Sequence, residues 1–140
     1  MFVTTSIQVL FNGSGGKRFC FYTYKLIDMN IEELRKLCLS LKGATEDVKW
    51  GSDLCFCIGA KMFCVTGFNP PLRVSLKVRD EEFDELCSRQ GIQPAAYTGR
   101  FKWIYVKDAG VFSKKEWEHY ISQSYALVKA KLPKKILNSL

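Results

Sequence analysis

Residues 72–79 constrain the chain most. Leu72, Val74, Leu76 and Val78 alternate with Arg73, Ser75, Lys77 and Arg79. Side chains of a strand point to opposite faces in turn, so this octet predicts a strand with one apolar and one basic face. Such a strand needs partners and a roof for its apolar side. Leu54–Ile58 and Lys61–Thr66 read as two more strands, joined by Gly59-Ala60, a two-residue hairpin turn of the Gly-first kind. Asn69-Pro70-Pro71 cannot join a central ladder and is expected to form the next connection. Phe101–Val106 has strand composition, and Ile92–Tyr97 reads as a short or irregular strand.

Helical periods supply the roof. Asn30 with Glu33 makes a reciprocal N-terminal capping pattern, followed by Ile31, Leu34, Leu37, Cys38 and Leu41 on one stripe, with Gly43 as C-cap. Asp80 is expected to cap a short helix that turns Phe83, Leu86 and Cys87 inward and ends at Gly91. Ser113 and Glu116 predict a capping box. The long helix behind it carries Trp117, Tyr120, Ile121, Ser124, Tyr125, Val128 and Leu132 along one face. Pro133 ends it, before a short tail. The expected fold is α+β: a two-layer sandwich of a mainly antiparallel sheet with two main helices on one face.

A chain of 140 residues argues for one domain, and ten Phe, six Tyr and three Trp can fill its core without metal or disulfide. No apolar run reaches the ~18 residues of a membrane span. Phe2–Phe11 has no basic residue before it, and Lys17-Arg18 follows it, the wrong order for a secretory signal. A cytoplasmic location and six reduced cysteines are expected. Residues 1–28 read apart from the rest, with strand-like Val3–Phe11 and Phe19–Leu26 flanking the breaker Asn12-Gly13-Ser14-Gly15-Gly16. They are either an N-terminal extension from an early start codon, the reading preferred here, or an added hairpin. The domain proper is expected over residues 29–140, as a monomer. The net charge is +7. Lys17, Arg18 and Lys25 against Asp28 give the first 28 residues +2, leaving +5 on the rest.

Several segments resemble one family when taken in order. They are Met29-Asn30-Ile31-Glu32-Glu33-Leu34-Arg35, Cys38-Leu39-Ser40-Leu41-Lys42-Gly43, Thr45-Glu46-Asp47 leading to Trp50-Gly51, and Gly59-Ala60-Lys61-Met62-Phe63. Pro70-Pro71 before Val74-Ser75-Leu76-Lys77, then Lys102-Trp103, Ser124-Tyr125 and Lys131-Leu132-Pro133-Lys134-Lys135, complete the series. The set resembles the MmcQ/YjbR family over about residues 29–140. The resemblance implies a fold like bacterial frataxin (CyaY-like), with two helices on an antiparallel sheet. It also brings that family's DNA-binding label, which rests on likeness of fold.

The residues argue against chemistry. His119 is the single histidine and has no nucleophile beside it in sequence, so no enzyme is expected. Cys55, Cys57 and Cys64 lack a fourth zinc ligand. Iron would want a ridge of carboxylates, whereas Arg35, Lys36 and Lys49 break up Glu32, Glu33, Glu46, Asp47 and Asp53. No cofactor or metal is expected. Cations remain. Arg73, Lys77 and Arg79 should point one way, Arg100 and Lys102 bracket Phe101 beside Trp103, and Lys131, Lys134 and Lys135 add charge near the C-terminus. Phosphate contacts with base stacking beside them suit that pattern. The expected function is a non-enzymatic domain that binds nucleic acid through a basic sheet face. The alternatives are a protein-interaction or regulatory module, in which the same face or the aromatic surface near Trp103 docks a partner, and then a metal or small-ligand carrier.

Overall fold

The computed structural model describes the backbone of residues 3–13, 16–26 and 29–140, and the side chains of residues 29–140. Strands β1 (Val3–Gly13) and β2 (Gly16–Leu26) pair antiparallel in a sheet of their own. Residues 14 and 15 of the expected glycine-rich breaker, and the side chain of Cys20, lie outside the described residues.

Helix α1 (Ile31–Leu39) starts where the capping pattern put it: the Asn30 side chain accepts from the Glu33 amide at 2.9 Å. Leu34 and Cys38 are buried and Ile31, Leu37 and Leu41 pack beside them, as the stripe predicts. The helix stops earlier than expected. Ser40 is its C-cap, and Gly43, at φ +77°, instead turns the chain toward the sheet, where a Cβ would meet Ile58 and Leu140 at 3.1 Å each.

The next element, β3 (Ala44–Lys49), is a strand where the sequence pattern predicts none. It sits at the sheet edge with its four central residues exposed, so its polar sequence carries no alternation to detect. Strands β4 (Asp53–Ile58) and β5 (Lys61–Gly67) follow as expected. Their turn differs from the Gly-first kind. Gly59 and Ala60 both have positive φ, 54° and 67°, which is the type I′ geometry. A side chain at Gly59 would lie 2.7 Å from Ile136 and 2.9 Å from Leu132, so any larger residue would have to displace both in addition to holding a positive φ. A register shift at Phe56/Cys57 bulges β5, and Phe63 and Cys64, neighbours in sequence, are both buried in the core.

Strand β6 (Val74–Lys77) is shorter than the octet, yet the alternation holds across it: Val74, Leu76 and Val78 are buried, and Arg73, Ser75, Lys77 and Arg79 are not. Helix α2 (Asp80–Ser88) has Arg79, not Asp80, as its N-cap, and the Arg79 amide donates to Gln123 Oε1 at 3.3 Å. It ends at Ser88, so Gly91, at φ +95°, turns the chain toward the next strand and does not close the helix. Strand β7 (Ile92–Pro94) and strand β8 (Trp103–Val106) are separated by a 3₁₀ turn over Gly99–Phe101, so Phe101 lies before β8 and not in it. Helix α3 (Lys114–Lys129) carries the full Ser113/Glu116 capping box. The tail after Pro133 folds as a short helix, α4 (Lys134–Ser139).

The main sheet has the order β3-β4-β5-β6-β8-β7, antiparallel at every pairing. Helix α3 lies across β4, β5 and β6, α1 packs on α3, and α2 covers β7 and β8. The fold is α+β, with one core between the sheet and its helices.

Two ion pairs tie the periphery together. Arg35 of α1 grips Glu46 of β3 through Nε at 2.8 Å and a terminal nitrogen at 2.7 Å, and Arg89 reaches Glu116 at 3.0 Å. The Arg35 hydrogen bonds hold the Glu46 carboxyl below its ordinary range, and those of Arg89 do the same for Glu116. A carboxyl whose pKa is lower folded than unfolded adds stability above its unfolded value and loses it as pH falls through the folded one. Stability is therefore expected to decline as pH drops below about 4.3, the ordinary glutamate value. Urea melts over a pH series check this. Arg35→Gln should flatten part of the decline, and an unchanged midpoint well below that pH would contradict it.

Candidate nucleic-acid interface

The register shows which residues lie away from the helices. Asp47, Cys55, Val65, Ser75, Tyr105 and Gln93 are paired in turn across all six strands of the main sheet. The adjacent row, Glu46, Phe56, Cys64, Leu76, Ile104 and Pro94, includes four core side chains and therefore faces the helices. By the two-residue period, Ser75 and Lys77 of β6, and Arg73 just before it, share the outer side with Trp103 and Tyr105 of β8. Lys77 lies opposite Trp103, and Ser75 opposite Tyr105.

The nine residues singled out from sequence divide among several places. Arg73 is exposed at one end of the outer side. Lys77 stands at the other end, about 13 Å along the strand by its rise per residue. Its ammonium donates to the Phe101 carbonyl. Burial and then the charge of Lys131 push its pKa down, with Asp80 opposing, so Lys131 stands within electrostatic reach. Arg100 lays its guanidinium over the Phe101 ring, 4.7 Å from the centroid.

Three of the expectations need correction. Arg79 does not continue the basic face: β6 ends at Lys77, and Arg79 lines a shallow depression on α3 with His119 and Gln123. Lys102 adopts φ +65° and places its ammonium over Phe83 of α2 at 4.8 Å, away from Phe101. Trp103 is only 9% exposed, so it offers neither a base nor a partner protein an open ring. Lys134 and Lys135 are exposed in the first turn of α4.

Among the described residues the salt bridges involve only Arg35, Lys36 and Arg89 as cations. None of the eight basic candidates has a carboxylate of the described residues within 4 Å. Among the described residues, then, the ion pairs lie at the α1 and α2 periphery and none involves a cation of the outer sheet side.

Sequence reasoning missed the centre of this surface. A groove of about 470 Å³ opens beside Arg73, lined by Asp53, Val65, Phe68, Ser75 and Tyr105 among others. Phe68 is 47% exposed on the loop that contains the cis Pro70-Pro71 bond, and Trp50, at the tip of the β3–β4 hairpin, is 71% exposed. Tyr105 could have been found from sequence, since it keeps step with Trp103 on the outer side of β8. Phe68 and Asp53 could not, because the register between strands brings them together.

Cys55 and Cys57 share this outer side but are buried. Burial, and then Cys57, push the Cys55 thiol up to about 11. Both stay protonated at neutral pH and are poor nucleophiles. Among the described residues no group of three or more His, Cys, Asp or Glu side chains is placed to hold a metal ion. No helix among them is long and apolar enough to cross a membrane.

An antiparallel six-stranded sheet, helices on one side and unpaired cations with an aromatic groove on the other, defines a class of small α+β domain. The chain belongs to the YjbR family, whose model matches residues 39–127, from the end of α1 into α3. It is similar in fold to a protein from Pseudomonas syringae of known crystal structure, with a TM-score of 0.59 and 23% identity, over 71% of this chain and 98% of that one. No curated protein matches it.

Proposed function

We propose that the chain is a non-enzymatic domain that binds nucleic acid along the outer side of its main sheet, chiefly through phosphates. The observation that carries this reading is the pair Arg73 and Lys77: two cations on the outer side, one just before β6 and one at its end, neither with a carboxylate partner among the described residues, with Tyr105 between them on the next strand. Lys131 adds charge at the Lys77 end. A cation that neutralises a phosphate releases a counterion, so affinity should fall steeply with salt. Titration with DNA at two salt concentrations is the test. Arg73→Ala with Lys77→Ala should weaken binding to all sequences alike and reduce the salt slope by about two units. An unchanged affinity in the double variant, or no binding by the parent protein at low salt, would remove the proposal.

A second reading, docking of a protein partner, draws on a different observation. Strand β3 is a sheet edge, and Val48 and the neighbouring Trp50 are exposed there. An extended peptide adds to such an edge through main-chain hydrogen bonds. Binding of a partner that survives nuclease treatment, and is lost on proline substitution at Val48, would favour it.

A further inference from the structure

We infer that the groove beside Arg73 takes one unstacked nucleotide, its base against Phe68 and Tyr105 and its phosphate on Arg73, so that the domain prefers single strands to duplex. The inference rests on the nucleic-acid reading above and names the form of nucleic acid that the same surface takes.

The row across the groove is Asp53, Gly67 and Arg73. Asp53 pairs with Gly67 directly, and the β5–β6 register, with Thr66 opposite Val74, brings Gly67 beside Arg73. The two charged residues therefore stand two strand spacings apart, about 9–10 Å, with a residue that has no side chain between them. Gly67 does not have a positive φ, and a Cβ built there meets nothing within 4 Å. Neither backbone conformation nor packing requires glycine at this position. What its missing side chain provides is a flat floor to the groove. The walls are apolar where Val65, Phe68 and the two prolines stand, and polar at Asp53, Ser75 and Tyr105.

This lining suits a flat ring with a donor edge and an anionic group on opposite sides. A carboxylate accepts from the exocyclic amino groups of bases, and an unpaired guanidinium takes a phosphate. The volume of about 470 Å³ lies within the range of single small-ligand clefts and leaves room for one ring system with its sugar phosphate. A duplex keeps its bases stacked and paired, so it cannot present a ring face to Phe68. Trp50, at the same end of the sheet, holds a left-handed backbone conformation, φ +54°, with its ring largely in water. A bulky residue is disfavoured in that conformation, and an exposed indole adds little to the core, so fold stability accounts for neither. The exposed Trp50 ring at that end of the sheet is available to stack on a neighbouring base of the same nucleic-acid strand.

The test compares a labelled oligodeoxycytidylate, whose bases carry the exocyclic amino group, with a duplex of equal length at low salt, for the parent chain and for Phe68→Ala and Gly67→Leu. Circular dichroism melts verify that the variants fold. The single strand should bind about tenfold more tightly than the duplex. Each substitution should weaken single-strand binding roughly 5- to 100-fold, the range of one lost base stack, and leave duplex binding unchanged. Equal affinity for both forms, or a Gly67→Leu chain that binds single strands as the parent does, would overturn the groove assignment and leave the phosphate-binding function standing. If neither form binds, that function falls, and deoxycytidine 5′-monophosphate then decides the groove by NMR titration. Shifts centred on Gly67, Phe68 and Ser75 would support a nucleotide site, and their absence would overturn it.

Discussion

Trp117→Ala is expected to destabilise the domain by about 3–5 kcal/mol, the range for deleting a large buried aromatic side chain. Trp117 is 1% exposed on the first turns of α3. Its ring meets Phe112 edge-on, with centroids 5.1 Å apart and planes at 86°, and its Nε1 donates to the Ala109 carbonyl at 3.1 Å. Truncation would open a cavity where α3 meets the 3₁₀ turn over Ala109–Val111, and would leave that carbonyl without its partner. A domain of ordinary stability has only about 5–15 kcal/mol in total, so the variant should sit near the edge of folding. Trp117→Phe separates the two contributions. It restores most of the apolar volume but not the hydrogen bond, and should cost about 1–2 kcal/mol. Urea denaturation measures both, read as a shift in midpoint at constant slope. A loss below about 1 kcal/mol for the alanine variant would show that the α3 stripe does not anchor the core.

The stripe that contains Trp117 was legible in the sequence, and so was most of the architecture. Ser113 and Glu116 announce the start of α3 because two orphan amides need oxygen acceptors, and Asn30 does the same for α1. The alternation of residues 72–79 picked out the buried Val74, Leu76 and Val78, because one side of β6 faces a core and the other does not, while Leu72, before the strand begins, is only half-buried. Strand β3 escaped notice for the converse reason. Its central residues are wet on both sides, so burial writes no pattern into them.

The surface was less legible than the fold. Alternation assigns a side only while a strand lasts, and β6 lasts to Lys77. Beyond it the chain enters α2, Gln123 receives the Arg79 amide, and Arg79 turns to the helix side. Lys102 departs from its neighbours because its left-handed backbone redirects it toward Phe83. The groove is a product of register: Asp53, Gly67 and Tyr105 come from three strands and Arg73 from the residue just before a fourth, and no short window of sequence contains them together. Local propensity reveals elements, whereas the candidate site exists only once the elements are aligned.

Ser124→Ala should destabilise the domain by about 2–4 kcal/mol, a large effect for the loss of one oxygen atom. Ser124 is fully buried near the middle of α3, where a serine side chain ordinarily bonds its own helix backbone. Here its hydroxyl leaves the helix: it donates to the Phe63 carbonyl of β5 and accepts from the Lys77 amide of β6 at 3.0 Å. The β5 bulge creates the need. Cys64 opposite Leu76 is the last register pair between β5 and β6, so the next carbonyl and amide do not meet each other. Ser124 fills the gap and pins α3 to both strands at once. Removing the hydroxyl leaves two buried backbone groups without partners, at about 1–3 kcal/mol each, less whatever the strands recover by closing toward one another. Ser124→Cys keeps the volume and only a weak donor, so it should fall between parent and alanine. Amide exchange distinguishes this account from a general loss of packing: Lys77 should exchange faster in the alanine variant than Leu34 or Ile104 does. Because the same amide fixes the end of β6, oligonucleotide affinity should drop with it in the folded variant. A Ser124→Ala chain with parental stability and parental Lys77 exchange would mean that the two strands close without the helix.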